Sequence, residues 1–172
     1  MDYRIILAIL LLCFAIIPIV NFLLIKNEKV IKIIFLILAI IYSILICIGV
    51  FFKVNLAQNI TITLFKNVEG VNKSFSFYPF AKTLTDFLIN ILMFVPLGFL
   101  LSPILKKHTL IKTLLIGFIF STFIELMQLL LPIVRSPQLS DIILNTLSCL
   151  IGGLCFSLLK LFKSLLTRKK SN

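Results

Sequence analysis

Asp86 and Asn90 stand four residues apart in an otherwise apolar stretch, which puts a carboxylate and an amide on one face of a helix. Gly117, Ser121, Glu125 and Gln128 follow at spacings of four, four and three, and Asp141, Asn145, Ser148 and Gly152 at four, three and four. Each set forms one continuous helical stripe. Gly and Ser on such a stripe let two helices approach closely, while the amides and carboxylates bond across the contact. Arg135 lies between the last two sets, in PIVRSPQLSD, where Pro132 and Pro137 stiffen a short turn and hold its cation near the helix ends. Two kinds of chemistry are open to this inventory. As a binding site, Arg135 meets a phosphate or carboxylate and the amides bond polar headgroup atoms. As a reaction centre, Glu125 or Asp141 serves as general acid or base and Arg135 stabilises developing negative charge.

The surroundings of these residues decide what solvent they work in. The chain has 172 residues, 60% of them hydrophobic, and a mean hydropathy of +1.19. Soluble domains run to about 45–50% apolar, and a soluble core of this size could not hide so much apolar surface. Lipid is therefore the solvent, and membrane lipids are the first expected partner. Seventeen Lys and Arg against six Asp and Glu give a net charge of +11. These charges sit between apolar runs, so they report topology and attraction to anionic headgroups rather than nucleic-acid binding. Cys13, Cys47, Cys149 and Cys155 all lie inside apolar stretches without a C-x-x-C pair, and His108 is the single histidine. That pattern implies no disulfide framework, no metal centre and no cofactor; His108, in the run KKH, reads as a solvated interfacial residue.

The fold class expected is all-α, a polytopic membrane helix bundle with about five transmembrane helices. A crossing of about 30 Å needs about 20 helical residues, and the apolar runs at 5–25, 33–52, 87–105, 110–134 and 142–162 are of that order. The first lacks a small-x-small cleavage site where a signal peptide should have one, so it reads as a mature helix kinked at Pro18. The chain then divides into two N-terminal helices over 1–53, an extracytoplasmic loop over 54–86, a three-helix core over 87–166 and a basic tail over 167–172. The basic segments KNEKVIK, KKHTLIK and the tail from Lys160 fall on one side if the number of crossings is odd. The positive-inside rule makes that side the cytoplasm and leaves the N-terminus outside. In the outer loop, two partly alternating flanks around Gly70 predict a short hairpin on the membrane surface, anchored by Phe75, Phe77, Tyr78 and Phe80. No internal repeat is visible, which disfavours an inverted-repeat transporter.

This orientation brings Asp86, Asn90, Glu125, Gln128, Asp141 and Asn145 to the outer leaflet, with Arg135 in the loop beside them. An ionised carboxylate at mid-helix costs about 2.5–3.5 kcal/mol on insertion scales, so Glu125 is expected to be protonated or paired, with Arg135 the nearest basic residue in sequence. Pro96, Gly98, Gly117, Ser121 and Gly152 are read as helix-packing positions. Two readings of the polar set stand side by side: a lock that holds the bundle together, or a functional site opening to the outer surface. Charged groups within spans favour the second.

The stretches SFYPF and DFLINILMFVPLGFLL, then FSTFIELMQLLLP, then RSPQLSDIILNTLSCLIGG resemble the VanZ-like family of small bacterial membrane proteins. The resemblance covers roughly residues 75–155 and comes in the family's order. Asn90, Phe94, Pro96, Leu97 and Gly98 fit its first part, Glu125 and Gln128 its second, and Arg135, Asp141, Asn145, Thr146 and Gly152 its third. Ser148 and Cys149 depart from the Gly-Ala common in the family, and these bulkier residues are expected to loosen that helix contact. The resemblance implies a bacterial cell membrane and a link to resistance against teicoplanin and related lipoglycopeptides, which act on the outer-face cell-wall precursor. On this basis the preferred function is a non-catalytic envelope factor that engages a lipid-linked cell-wall precursor or the lipoglycopeptide itself. The alternatives are an intramembrane enzyme acting on a lipid-linked substrate and a small-solute transporter. The enzyme reading is the weaker, because the sequence has no H-E-x-x-H, no serine–lysine dyad motif, no second histidine and no P-loop.

Overall fold

The computed structural model describes residues 27–51, 53–55, 61–63, 75–77, 83–105, 108–130 and 137–169. The expected first span at 5–25, the Gly70 turn, Tyr78, Phe80, Arg135 and the last three residues lie outside them. Four helices are described: α1 Glu28–Phe51, α2 Leu84–Leu101, α3 Thr109–Leu130 and α4 Leu139–Lys169. Two three-residue strands, β1 Lys53–Asn55 and β2 Thr61–Thr63, pair antiparallel with Val54 opposite Ile62. This ladder lies wholly upstream of Gly70, within the first flank of the expected hairpin.

Local chemistry sets the helix ends. Asn27 caps α1, its Oδ1 accepting the N–H groups of Lys29 (3.0 Å) and Val30 (3.4 Å), and Glu28 places a negative charge on the first turn. Helix α2 stops at Leu101 because Pro103 disfavours helical geometry at Ser102. His108 takes a left-handed backbone (φ 54°) and its carbonyl accepts the Lys112 N–H, which starts α3.

Three segments are long and apolar enough to cross a membrane: Glu28–Val50, Thr109–Leu130 and Leu139–Leu166. The fourth apolar helix, Phe87–Leu101, is shorter, since the proline-terminated turn ends it before the 105 expected. The expected count of about five is not reached among the described residues, which hold four helices, three of them span-length. Helix α4 runs to Lys169, past the expected 162, because SLLKLFKSLLTRK holds strong helix formers and neither Gly nor Pro. Its 31 residues reach about 46 Å, more than a hydrocarbon layer.

Helix α4 packs against α2 and α3, and α1 covers α2 from the far side. The bundle carries its polar stripes inward. On α3 the buried residues are Thr113, Gly117, Ser121, Ile124, Glu125 and Gln128, while Phe118, Ile119, Phe123 and Leu126 are exposed. Toward the lysine-bearing end, Phe35, Phe99 and Phe156 bring their rings within 6.3, 6.1 and 5.4 Å of one another, an aromatic layer in favourable tilted and edge-on geometry.

Helix α2 and helix α4 run parallel and touch backbone to backbone. A Cβ on Gly98 would overlap the Cys149 carbonyl oxygen, and one on Gly152 would overlap the Val95 carbonyl oxygen. Cys149 is fully buried and its Cβ fills the space opposite Gly117 on α3, 2.6 Å from where a Cβ there would stand. The Cys149 side chain thus meets a glycine on α3, and toward Gly98 of α2 this residue presents backbone.

Pro96 sits inside α2 and has no N–H, so the carbonyl of Leu92 loses its helical donor. The hydroxyl of Tyr42, itself completely buried on α1, donates to that carbonyl at 3.4 Å. The helix-breaking residue thus creates the acceptor that docks α1. Tyr42→Phe keeps the ring but leaves a buried carbonyl unmet, and should cost about 1 kcal/mol. Thermal unfolding in detergent is expected to show a lowered midpoint with unchanged helical content; an unchanged midpoint would mean that the bond contributes nothing.

Candidate functional site

The polar stripes of α2, α3 and α4 converge at the end of the bundle opposite the lysines. Asn90 Nδ2 on α2 donates to Asp141 Oδ1 on α4 at 2.8 Å. Asn145 Nδ2 donates to Ser121 Oγ on α3 at 2.8 Å, and Ser121 Oγ in turn donates to the Asp141 backbone carbonyl at 3.5 Å. Glu125 accepts from Gln128 Nε2 at 3.5 Å and from the backbone N–H of Gln138 at 2.9 Å. Asn90, Ser121, Glu125, Gln128, Asp141 and Asn145 are all buried, none more than 4% exposed.

Asn90, Glu125, Gln128, Asp141 and Asn145 line one small cavity of about 10 Å³, floored by Met93, Phe94 and Ile124 and flanked by Val50 of α1. That volume suits a single water-sized group. Asn145 Oδ1 is buried and, among the described residues, meets no hydrogen-bond donor. A buried amide oxygen without a donor is costly, so the site presents an acceptor to any donor that enters.

The entrance is strapped from two sides. The Ser76 N–H donates to the Pro137 carbonyl at 3.0 Å, and the Leu139 N–H donates to the Ser76 carbonyl at 2.9 Å. The outer-loop segment 75–77 is thereby fixed to the turn whose next residue, Gln138, caps Glu125. The rings of Phe75 and Phe77 meet in a tilted contact at 5.0 Å between centroids, with Phe77 78% exposed. The sequence led to a site open to the outer surface; among the described residues, the Gln138 peptide lies against Glu125 and Ser76 bonds that peptide's neighbours Pro137 and Leu139.

Of the residues singled out in the sequence, Asn90, Glu125, Gln128, Asp141 and Asn145 share this cavity. Asp86 lies in the first turn of α2, one helical turn before Asn90, and its side chain is not among those described. Arg135 also lies outside the described residues, and the peptide N–H of Gln138, three residues on, is a donor that the structure places on Glu125. Ser121, read as a packing residue, is in addition the hydrogen-bond link between α3 and α4. Pro96, Gly98, Gly117 and Gly152 sit in helix contacts. Sequence reasoning missed Gln138 and Ser76, whose contribution comes from the backbone and leaves no side-chain signature. Among the described residues, no group of three or more His, Cys, Asp or Glu is placed to hold a metal ion.

The VanZ/LLP1 family model matches residues 5–160 of the chain. No curated protein and no solved structure matches it.

Proposed function

The chain belongs to the VanZ/LLP1 family, and from that premise we propose that it is a non-catalytic factor of the bacterial cell membrane. It engages a lipid-linked envelope component or a lipoglycopeptide of the teicoplanin type from the outer side, and thereby lowers susceptibility to that antibiotic. The observation that carries this reading is the cavity shared by Asn90, Glu125, Gln128, Asp141 and Asn145, with the donor-less Asn145 oxygen inside it. Buried polar groups of this kind within apolar helices are expensive, and their default role is functional. Three amides and two carboxylates recognise donors and acceptors on a polar headgroup, and Arg135 supplies the cation for a phosphate or carboxylate. The cavity admits only one water-sized group, so engagement of a headgroup requires it to widen.

The test compares a strain lacking the protein with its complemented parent, by cell-wall-precursor and lipid analysis and by binding of a fluorescent lipoglycopeptide. Unchanged precursors with reduced antibiotic binding are the expected result. An altered precursor would replace this reading with that of an enzyme.

In this reading the N-terminus lies outside and the C-terminus in the cytoplasm, in line with the basic segments. Single cysteines at Lys29 and Lys170, in a background without native cysteines, should resist an impermeant thiol reagent in intact cells, whereas one at Gly70 should react. Labelling at Lys170 would reverse the orientation.

A further inference from the structure

At the opposite, lysine-bearing end, the helices enclose a second and much larger cavity of about 450 Å³, within the usual range of ligand pockets. Lys32 of α1 and Lys160 of α4 line it from two sides, over apolar walls that include Ile31 and Phe156. Among the described residues, the ion pair at this site joins Lys32 to Glu28 on the same helix at 3.9 Å, with the two side chains 43% and 87% exposed. Such an exposed pair is weak and yields readily to a better anion. Ile33 and Leu161, next in sequence to the two lysines, are exposed apolar residues of the bundle surface.

The hydroxyls lining the pocket narrow the ligand further. Ser102 donates its proton to the Gly98 carbonyl at 2.7 Å and Ser157 donates to the Gly153 carbonyl at 2.9 Å. Each can meet a ligand only as an acceptor, and Glu28 is an acceptor as well. The pocket therefore combines two cationic donors with several acceptors above an apolar floor. A bare phosphate, which offers acceptors alone, satisfies half of that set; so does a phosphocholine headgroup, which has no N–H or O–H. We infer that this cavity binds a membrane phospholipid whose headgroup carries a hydrogen-bond donor beyond the phosphate, a glycerol or ethanolamine type, with the phosphate between Lys32 and Lys160 and the acyl chains along the outer helix faces.

The purified full chain in detergent is titrated with short-chain phosphatidylglycerol, phosphatidylethanolamine and phosphatidylcholine, and with glycerol 3-phosphate, while its thermal unfolding is followed. The first two should raise the unfolding midpoint saturably, phosphatidylcholine at about tenfold higher concentration, and glycerol 3-phosphate not at all. The double substitution K32Q/K160Q should weaken the phosphatidylglycerol response about 30-fold, from two lost lysine–phosphate attractions, with its ligand-free midpoint unchanged because both side chains are outside the core. Ser157→Leu, which places a bulky apolar side chain among the headgroup contacts, should weaken the response about tenfold. An equal response to glycerol 3-phosphate would assign the pocket to soluble phosphate esters and overturn the lipid. Equal responses to all three lipids, or a wild-type response from K32Q/K160Q, would overturn the proposed recognition. If Ser157→Leu fails to fold, the lysine pair alone decides.

Discussion

Valine at Gly152 is expected to force α2 and α4 apart. Its Cβ would overlap the Val95 carbonyl oxygen and stand 2.7 Å from the Phe99 amide nitrogen, both backbone atoms of a regular helix that cannot rotate aside. Gly98 is in the mirror situation against the Cys149 carbonyl. Overpacking ordinarily costs about 1–3 kcal/mol, and a clash with backbone belongs at the upper end or beyond it. Gly152→Val and Gly98→Val should therefore each lower stability by about 3 kcal/mol or more, seen as lost membrane abundance and a lowered unfolding midpoint in detergent. Gly153→Ala supplies the contrast. The nearest atom to its Cβ would be Thr113 Oγ1 at 2.8 Å, the end of a side chain, so a cost of about 1 kcal/mol is expected. Equal, small losses for all three would mean that the α2–α4 approach is looser than described. The consequence extends to the polar cluster, because Asn90 and Asp141 belong to the same two helices and their 2.8 Å bond depends on that spacing.

Much of this was legible in the spacing of residues. The series Gly117, Ser121, Glu125, Gln128 is the buried face of α3, because in lipid the apolar side chains turn outward and the small and polar ones are left to face other helices. The convergence of Asn90, Asp141 and Asn145 on that face followed from the same periodicity. What the sequence could not show is work done by the backbone. The Gln138 N–H on Glu125 and the Ser76 bridge to Pro137 and Leu139 depend on how the chain turns, and any residue but proline could supply those donors. Tyr42 is a second case. An aromatic residue in a span reads as apolar filling, and only the structure connects its hydroxyl with the acceptor that Pro96 creates four residues earlier at Leu92. Helix ends were also misjudged where one residue decides them, at Pro103 after α2 and in the unbroken leucine-rich end of α4.

Within the cluster, removing charge and removing hydrogen-bonding capacity should have separate effects. Glu125→Leu would leave the Gln138 N–H and the Gln128 amide without their acceptor, and each buried unmet donor costs about 1–3 kcal/mol. Lost abundance is the expected result. Glu125→Gln retains an oxygen that can accept from the Gln138 N–H, and Asp141→Asn retains one for Asn90 Nδ2. Both changes should cost little stability while removing the negative charge, so they isolate function from folding. Arg135→Gln removes the cation on the same logic; if it forms a buried pair with a carboxylate, breaking that pair costs about 3–5 kcal/mol and abundance falls with it.

The most direct measurement is lipoglycopeptide resistance per unit of membrane-inserted protein in cells producing Glu125→Gln, Asp141→Asn or Arg135→Gln. A functional cluster predicts that Glu125→Gln and Asp141→Asn insert at near wild-type abundance yet confer no more resistance than cells lacking the protein. Full resistance at normal abundance in all three variants would contradict the account and leave the buried cluster as a lock on the helix bundle alone.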